Sequence, residues 1–152
     1  MIPEFLCPVC RGKLAFNNAR FACTNNHEYF FDGPVLILLD PDKKNHIDRY
    51  IRKYYEIKRN ENELNLVTGD FDKLPFIKNK LLRDEWDYRK HSLKIIEKSI
   101  GKTSNGSILE FGPYNGWLTN RLAEKGFDIM AIDYFNEDLT GLRTIDRYKN
   151  KW

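Results

Sequence analysis

Apolar residues recur along this chain with two different periods, and the changes of period mark its elements. Near the N-terminus, Lys13 to Phe16 and Ala19 to Ala22 are short and alternating. They predict a hairpin with Asn17-Asn18 at the bend. Tyr29 to Leu39 reads as strand, turn, strand, with Asp32-Gly33-Pro34 as the turn. At Asp40-Pro41 the period lengthens. Asp suits an N-cap and Pro the first helical position. Ile47, Tyr50, Ile51, Tyr54 and Ile57 then follow at i, i+3, i+4, i+7 and i+10, as one apolar stripe. Lys43, Lys44, Arg49, Arg52, Lys53, Lys58 and Arg59 fill the other faces, opposed by Asp48 and Glu56.

Residues 60–82 are polar and broken by Gly69 and Pro75; they predict a linker whose apolar residues (Leu64, Leu66, Phe71, Leu74, Phe76, Ile77) pack. A second helix is expected from Asp84 to Ile100, with Trp86, Leu93, Ile96 and Ile100 on one side and Gly101 ending it. Next come a strand at Ser107–Phe111, a sharp loop bracketed by Gly112 and Gly116, a helix over Trp117–Lys125 ended by Gly126, and a strand at Phe127–Ile132 closed by Asp133. The fold class read from this order is α+β: a small N-terminal ribbon over 1–40, a helix and linker over 41–83, and an incomplete α/β, Rossmann-like βαβ unit over 84–152.

Composition adds mostly exclusions. The 152 residues allow one ordinary domain, or a small module with part of another. A net charge of +3 does not by itself imply a nucleic-acid partner. No apolar run approaches the ~20 residues of a membrane span, so no membrane partner is expected. No basic, then apolar, leader pattern is present. Three cysteines cannot make a complete disulfide framework, and a reduced, cytoplasmic setting is the simplest expectation.

Those cysteines carry the first candidate chemistry. Cys7, Cys10, Cys23 and His27 fall as C-x2-C-x12-C-x3-H, two short ligand pairs about a dozen residues apart. Each short knuckle turns the backbone so that two donors face one point, and together they close a tetrahedron. Structural Zn2+ is the expected ion, since four protein ligands leave no open position for water or substrate.

The glycine loop carries the second. In a strand–loop–helix–strand unit the loop lies at the carboxyl edge of the sheet, where ligands bind. Glycine there admits backbone to a ligand without a Cβ in the way. Asp133, twenty-one residues after Gly112, is placed to accept hydrogen bonds from ribose hydroxyls. A dinucleotide loop expects G-x-G-x-x-G. Here Gly112-x3-Gly116 has Pro113, Tyr114 and Asn115 between, and Glu110 stands two residues earlier. A carboxylate there suits a cationic ligand better than a diphosphate, which favours S-adenosylmethionine over NAD.

The run Glu110-Phe-Gly-Pro-Tyr-Asn-Gly-Trp-Leu118, through Ala131-Ile-Asp133, resembles the first cofactor motif and second-strand acid of class I S-adenosylmethionine-dependent methyltransferases, and Asp138–Leu142 resembles the following region of the bacterial "type 11" kind. The resemblance implies a cofactor site of Glu110, Gly112, Tyr114, Asn115, Gly116 and Asp133. It names no catalytic residue, because acceptor-side groups in that family come largely from later strands. Tyr114 departs from the usual glycine. The cysteine pattern with Tyr29 and Phe30 is similar to the zinc finger of 23S rRNA guanine methyltransferases, while Gly33–Leu38 looks more like zinc-ribbon proteins that partner tRNA and protein methyltransferases. These likenesses imply RNA contact through the ribbon and the basic helix 43–59, with RNA or a small molecule as methyl acceptor. The chain stops nineteen residues after Asp133. It is therefore expected to be a truncated chain, or one completed by self-association or another chain. Two alternatives stand beside this reading: a non-catalytic ribbon that binds RNA or a protein partner, and a nicotinamide-dependent oxidoreductase.

Overall fold

The structure, a computed structural model, describes residues 4–60, 71–77, 83–101, 106–137 and 140–149. Residues 61–70 and 78–82 of the expected linker, with Leu64 and Leu66, and Asp138 and Leu139 after the second strand lie outside the described residues. The chain is mixed α and β, and it divides into two compact units, Met1–Leu64 and Asn65–Trp152.

In the first unit, β1 (Ala15–Asn17), β2 (Arg20–Ala22), β3 (Glu28–Asp32) and β4 (Val35–Leu36) form an antiparallel sheet in sequence order. Asn17 pairs with Arg20, so the hairpin bend is Asn18-Ala19, one residue later than the sequence suggests. Both bend residues have positive φ, 49° and 60°. A two-residue turn of that hand matches the right-handed twist of its strands, which fixes the register. Pairing continues past β4, because Ile37 N–H donates to Phe30 O at 3.0 Å. Cys7, Leu14, Phe21, Cys23 and Tyr29 form the core, with Phe5, Leu36 and Leu38 packed on it. A core this small is marginal without a further tie.

Helix α1 (Pro41–Asn60) starts as expected: Asp40 Oδ1 accepts the Asp42 N–H at 3.0 Å. None of its side chains from 41 to 58 is buried. Along the apolar stripe Ile47, Ile51 and Tyr54 are half-buried, while Tyr50 is 64 % exposed and Ile57 46 %.

The second unit is built on a parallel pair, β5 (Ser107–Phe111) and β6 (Asp128–Ile132), joined through α3 (Trp117–Glu124). Helix α2 (Arg83–Ile100) precedes β5 and stops at Gly101, whose φ of 72° is the left-handed conformation that ends helices. Trp86 and Leu93 of α2, Trp117 of α3, Phe71, Leu74 and Tyr148 make one core. The Trp86 and Trp117 rings meet edge to face at 6.3 Å. Arg121 ties the 71–77 stretch to α3: its guanidinium donates to Leu74 O at 2.6 Å and to Asp72 O at 2.5 Å. The sheet alternates, with Ser107, Leu109 and Phe111 exposed and Ile108 and Glu110 half-buried. Gly141 is required by close approach, since a Cβ there would lie 2.3 Å from Glu137 N.

Candidate metal centre and glycine loop

Two local turns build the metal centre. In the first, Arg11 N–H donates to Cys7 O at 2.9 Å and Cys7 N–H to Gly12 O at 2.8 Å, with Arg11 at φ 62°. In the second, Asn26 N–H donates to Cys23 O at 3.0 Å and Cys23 N–H to His27 O at 3.1 Å, with Asn26 at φ 60°. Asparagine tolerates the left-handed region better than most residues. The Asn25-Asn26 pair before His27 is therefore the device that swings the imidazole back toward Cys23.

The donor atoms of Cys7, Cys10, Cys23 and His27 all lie within 4.8 Å of one another. His27 Nδ1 is 3.5 Å from Cys7 Sγ and 3.4 Å from Cys23 Sγ, and the Cys10 and Cys23 sulfurs are 3.7 Å apart. A tetrahedral Zn2+ with ~2.3 Å Zn–S and ~2.0 Å Zn–N bonds has S···S edges of about 3.8 Å and S···N edges of about 3.5 Å. These three edges fit. The cluster could hold a metal ion such as zinc, and the four sequence-derived ligands are the four brought together.

Tyr29 joins them, a residue that the sequence places at the start of a strand and in the zinc-finger resemblance but to which it gives no role at the sulfurs. Its hydroxyl lies 3.1 Å from Cys7 Sγ. Burial works against ionisation of Cys7, but hydrogen bonds from Tyr29 and from the N–H groups of Cys10 and Val9 outweigh it and lower its pKa to about 6. Cys10 goes the other way. The Gly12 N–H favours its thiolate, but burial and the Cys7 and Cys23 sulfurs raise it. Burial first, and then the bond to Cys7, pushes the Tyr29 phenol up, so Tyr29 stays a donor to sulfur. No pattern within β3 marks it, since Tyr29 is the one buried residue of that strand; the pairing opposite buried Phe21 in the β2–β3 register places it.

The glycine loop joins β5 to α3. Phe111 pairs with Ile132, and Gly112 N–H donates to Ile132 O at 2.9 Å, so the loop begins beside Asp133 at the carboxyl end of the sheet. Gly112 has φ 67°, and nothing among the described residues lies within 4 Å of where its Cβ would be, so the space beside Gly112 is open among them. Gly116, at φ 73°, is the N-cap of α3 and has no side chain to cap it. Asn115 is buried, and its Oδ1 has no hydrogen-bond partner among the described residues. Asp133 Oδ1 accepts the Phe135 N–H at 3.0 Å, which fixes the carboxylate at the strand end. Glu110 Oε2 accepts from Thr119 Oγ1 at 2.5 Å; burial raises its pKa, partly offset by that bond.

Tyr114 holds φ 57°, unusual for a side chain of its size. Its ring lies 5.4 Å from the Arg89 guanidinium, which also lies 4.8 Å from the Trp86 ring. Tyr148 Oη donates to Asn115 O at 2.7 Å. Thr119, Arg89 and Tyr148 carry no motif signal; only the fold brings them to the loop. No protein-family model matches this chain, and a search of curated proteins finds no match.

Proposed function

We propose that this chain carries the cofactor-binding part of a class I S-adenosylmethionine-dependent methyltransferase, preceded by a ribbon built around a structural zinc ion. The observation that supports it most is the β5–β6 register, which sets the open glycine loop beside Asp133 with Glu110 just inside the strand. When bound, the cofactor supplies an activated methyl group on a sulfonium. The chain's part is to bind and orient it. Gly112 admits the ligand close to backbone. The Glu110 carboxylate and the Asn115 Oδ1 acceptor suit an ammonium group, and Asp133 suits ribose hydroxyls. RNA or a small molecule is the acceptor class the resemblance implies. In the ribbon all four zinc positions are filled by protein, so the ion stabilises rather than reacts.

A second reading is a non-catalytic binding module. It is favoured by the Glu110–Thr119 bond, which engages one oxygen of the carboxylate without any ligand. Calorimetric titration with S-adenosylmethionine and, separately, with NAD tests both. On the proposal S-adenosylmethionine binds, NAD does not, and Asp133→Asn weakens binding by roughly 10-fold or more, as expected on losing a charged hydrogen bond. No binding of S-adenosylmethionine by folded protein sinks the methyltransferase reading; binding of NAD alone replaces it with a nicotinamide site.

A further inference from the structure

The positive charge of this chain is concentrated on one helix, and on one side of it. Residues 41–60 hold seven Lys and Arg against three acidic residues, a formal charge of +4. The whole chain carries +3, so the remaining residues together carry −1. At ~100° per residue, Lys43, Lys44, Lys53 and Lys58 all fall within about 90° of the axis of the Ile47–Ile57 stripe. Positions Arg49, Arg52 and Arg59 fall on the opposite half, together with Asp42, Asp48 and Glu56. The far face is thus close to neutral, and the excess charge borders the apolar stripe. Tyr50 and Ile57 of that stripe are exposed, as are Lys43, Lys44 and Lys53, while Lys58 lies 5.8 Å from the Tyr54 ring.

This arrangement selects among anionic partners. A nucleic acid is neutralised by cations through its phosphates. It gains nothing from isoleucines placed between them, and the far-face arginines would serve it as well as the lysines. An anionic bilayer uses both features. Aliphatic side chains enter the headgroup–acyl boundary, tyrosines sit at that boundary, and lysines beside the stripe reach back to the headgroups along their own apolar stems. No helix among the described residues is long and apolar enough to cross a membrane. Against the expectation of no membrane partner, which rested on the lack of a spanning segment, we propose that α1 lies on the surface of an anionic membrane, with the Ile47–Ile57 stripe buried and the four flanking lysines on acidic headgroups. The exposed 2.5 Å Lys44–Asp48 pair is worth little and gives way to lipid.

Two double variants of the full chain, each removing two positive charges, test the orientation. Flotation with vesicles of 70 % phosphatidylcholine and 30 % phosphatidylserine is the measurement, with circular dichroism confirming that the helix is kept. Lys43→Gln with Lys44→Gln is expected to weaken binding about 25-fold, at about 1 kcal/mol for each lysine near an anionic surface. Arg49→Gln with Arg52→Gln is expected to change it less than about 3-fold, since those side chains sit on the far half of the helix, about a Debye length from the lipid. Ile57→Ser is expected to weaken it without changing its salt dependence. Equal losses for the two double variants overturn the proposal. So does binding to an unstructured RNA oligomer with no preference for phosphatidylserine over phosphatidylcholine vesicles.

Discussion

Single residues here hold conformations or charges that their type resists, and each case is measurable. Ala19 sits at φ 60° in the β1–β2 turn. A left-handed alanine costs about 1–2 kcal/mol, and glycine gives back about 0.5–1 kcal/mol in chain entropy. Ala19→Gly is therefore expected to stabilise the ribbon by about 0.5–1 kcal/mol, read as a higher thermal midpoint with metal saturating. Glu110 is the electrostatic counterpart. Burial lifts its folded-state pKa above the ordinary carboxylate value, so the fold prefers the protonated acid. That contribution is fully present below the unfolded pKa and is lost as pH rises through the folded one. Thermal unfolding across the weakly acid range should show stability falling as pH increases, and Glu110→Gln should flatten that slope and raise the midpoint at neutral pH. If Glu110→Gln also weakens S-adenosylmethionine binding, the carboxylate is held there at a cost to stability and in favour of ligand.

Elements were legible where one local rule decided them. Asp40-Pro41 set the start of α1, Gly101 the end of α2, and the Ser107–Phe111 and Asp128–Ile132 runs the parallel pair. The hairpin bend lies one residue beyond the expected Asn17-Asn18, because Asn17-Asn18 and Asn18-Ala19 both suit turns and only the pairing of Phe16 with Phe21 chooses between them. The metal ligands could be read from spacing alone, since a tetrahedron constrains where donors occur along a chain. Tyr29, Thr119 and Arg89 could not, because what places each beside its partner is a strand register or a helix crossing. The basic residues of α1 do not all lie on faces away from its apolar stripe. Lys43 and Lys58 lie along the apolar stripe rather than away from it, a distinction that needs the helix phase and not only its composition.

At the scale of the molecule, the metal and the tryptophans report on different parts. All four metal donors lie in Met1–Leu64, and Trp86, Trp117 and Trp152 all lie in Asn65–Trp152. A small ribbon that draws its folding energy from an ion unfolds when the ion is withdrawn. Purified protein is expected to hold about one zinc per chain. A strong chelator should abolish the slow hydrogen exchange of β1–β3 amides while tryptophan fluorescence stays unchanged. Loss of the tryptophan signal in step with the metal would show that the two units fold as one.

The Tyr148 hydroxyl reaches the carbonyl of Asn115, thirty-three residues back, while its ring packs edge to face on Phe71 at 5.6 Å. Tyr148→Phe would keep the ring and release the carbonyl. The loop would then spend time in geometries that a ligand must undo before it can settle, so part of the binding free energy would go into ordering the loop. On the proposed function, the change should appear in calorimetry as a more unfavourable entropy of S-adenosylmethionine binding, with the contacts made in the bound state left intact. Readiness of the glycine loop would thereby be set by a phenol outside the motif, and ligand affinity could be tuned without altering any residue that meets the ligand.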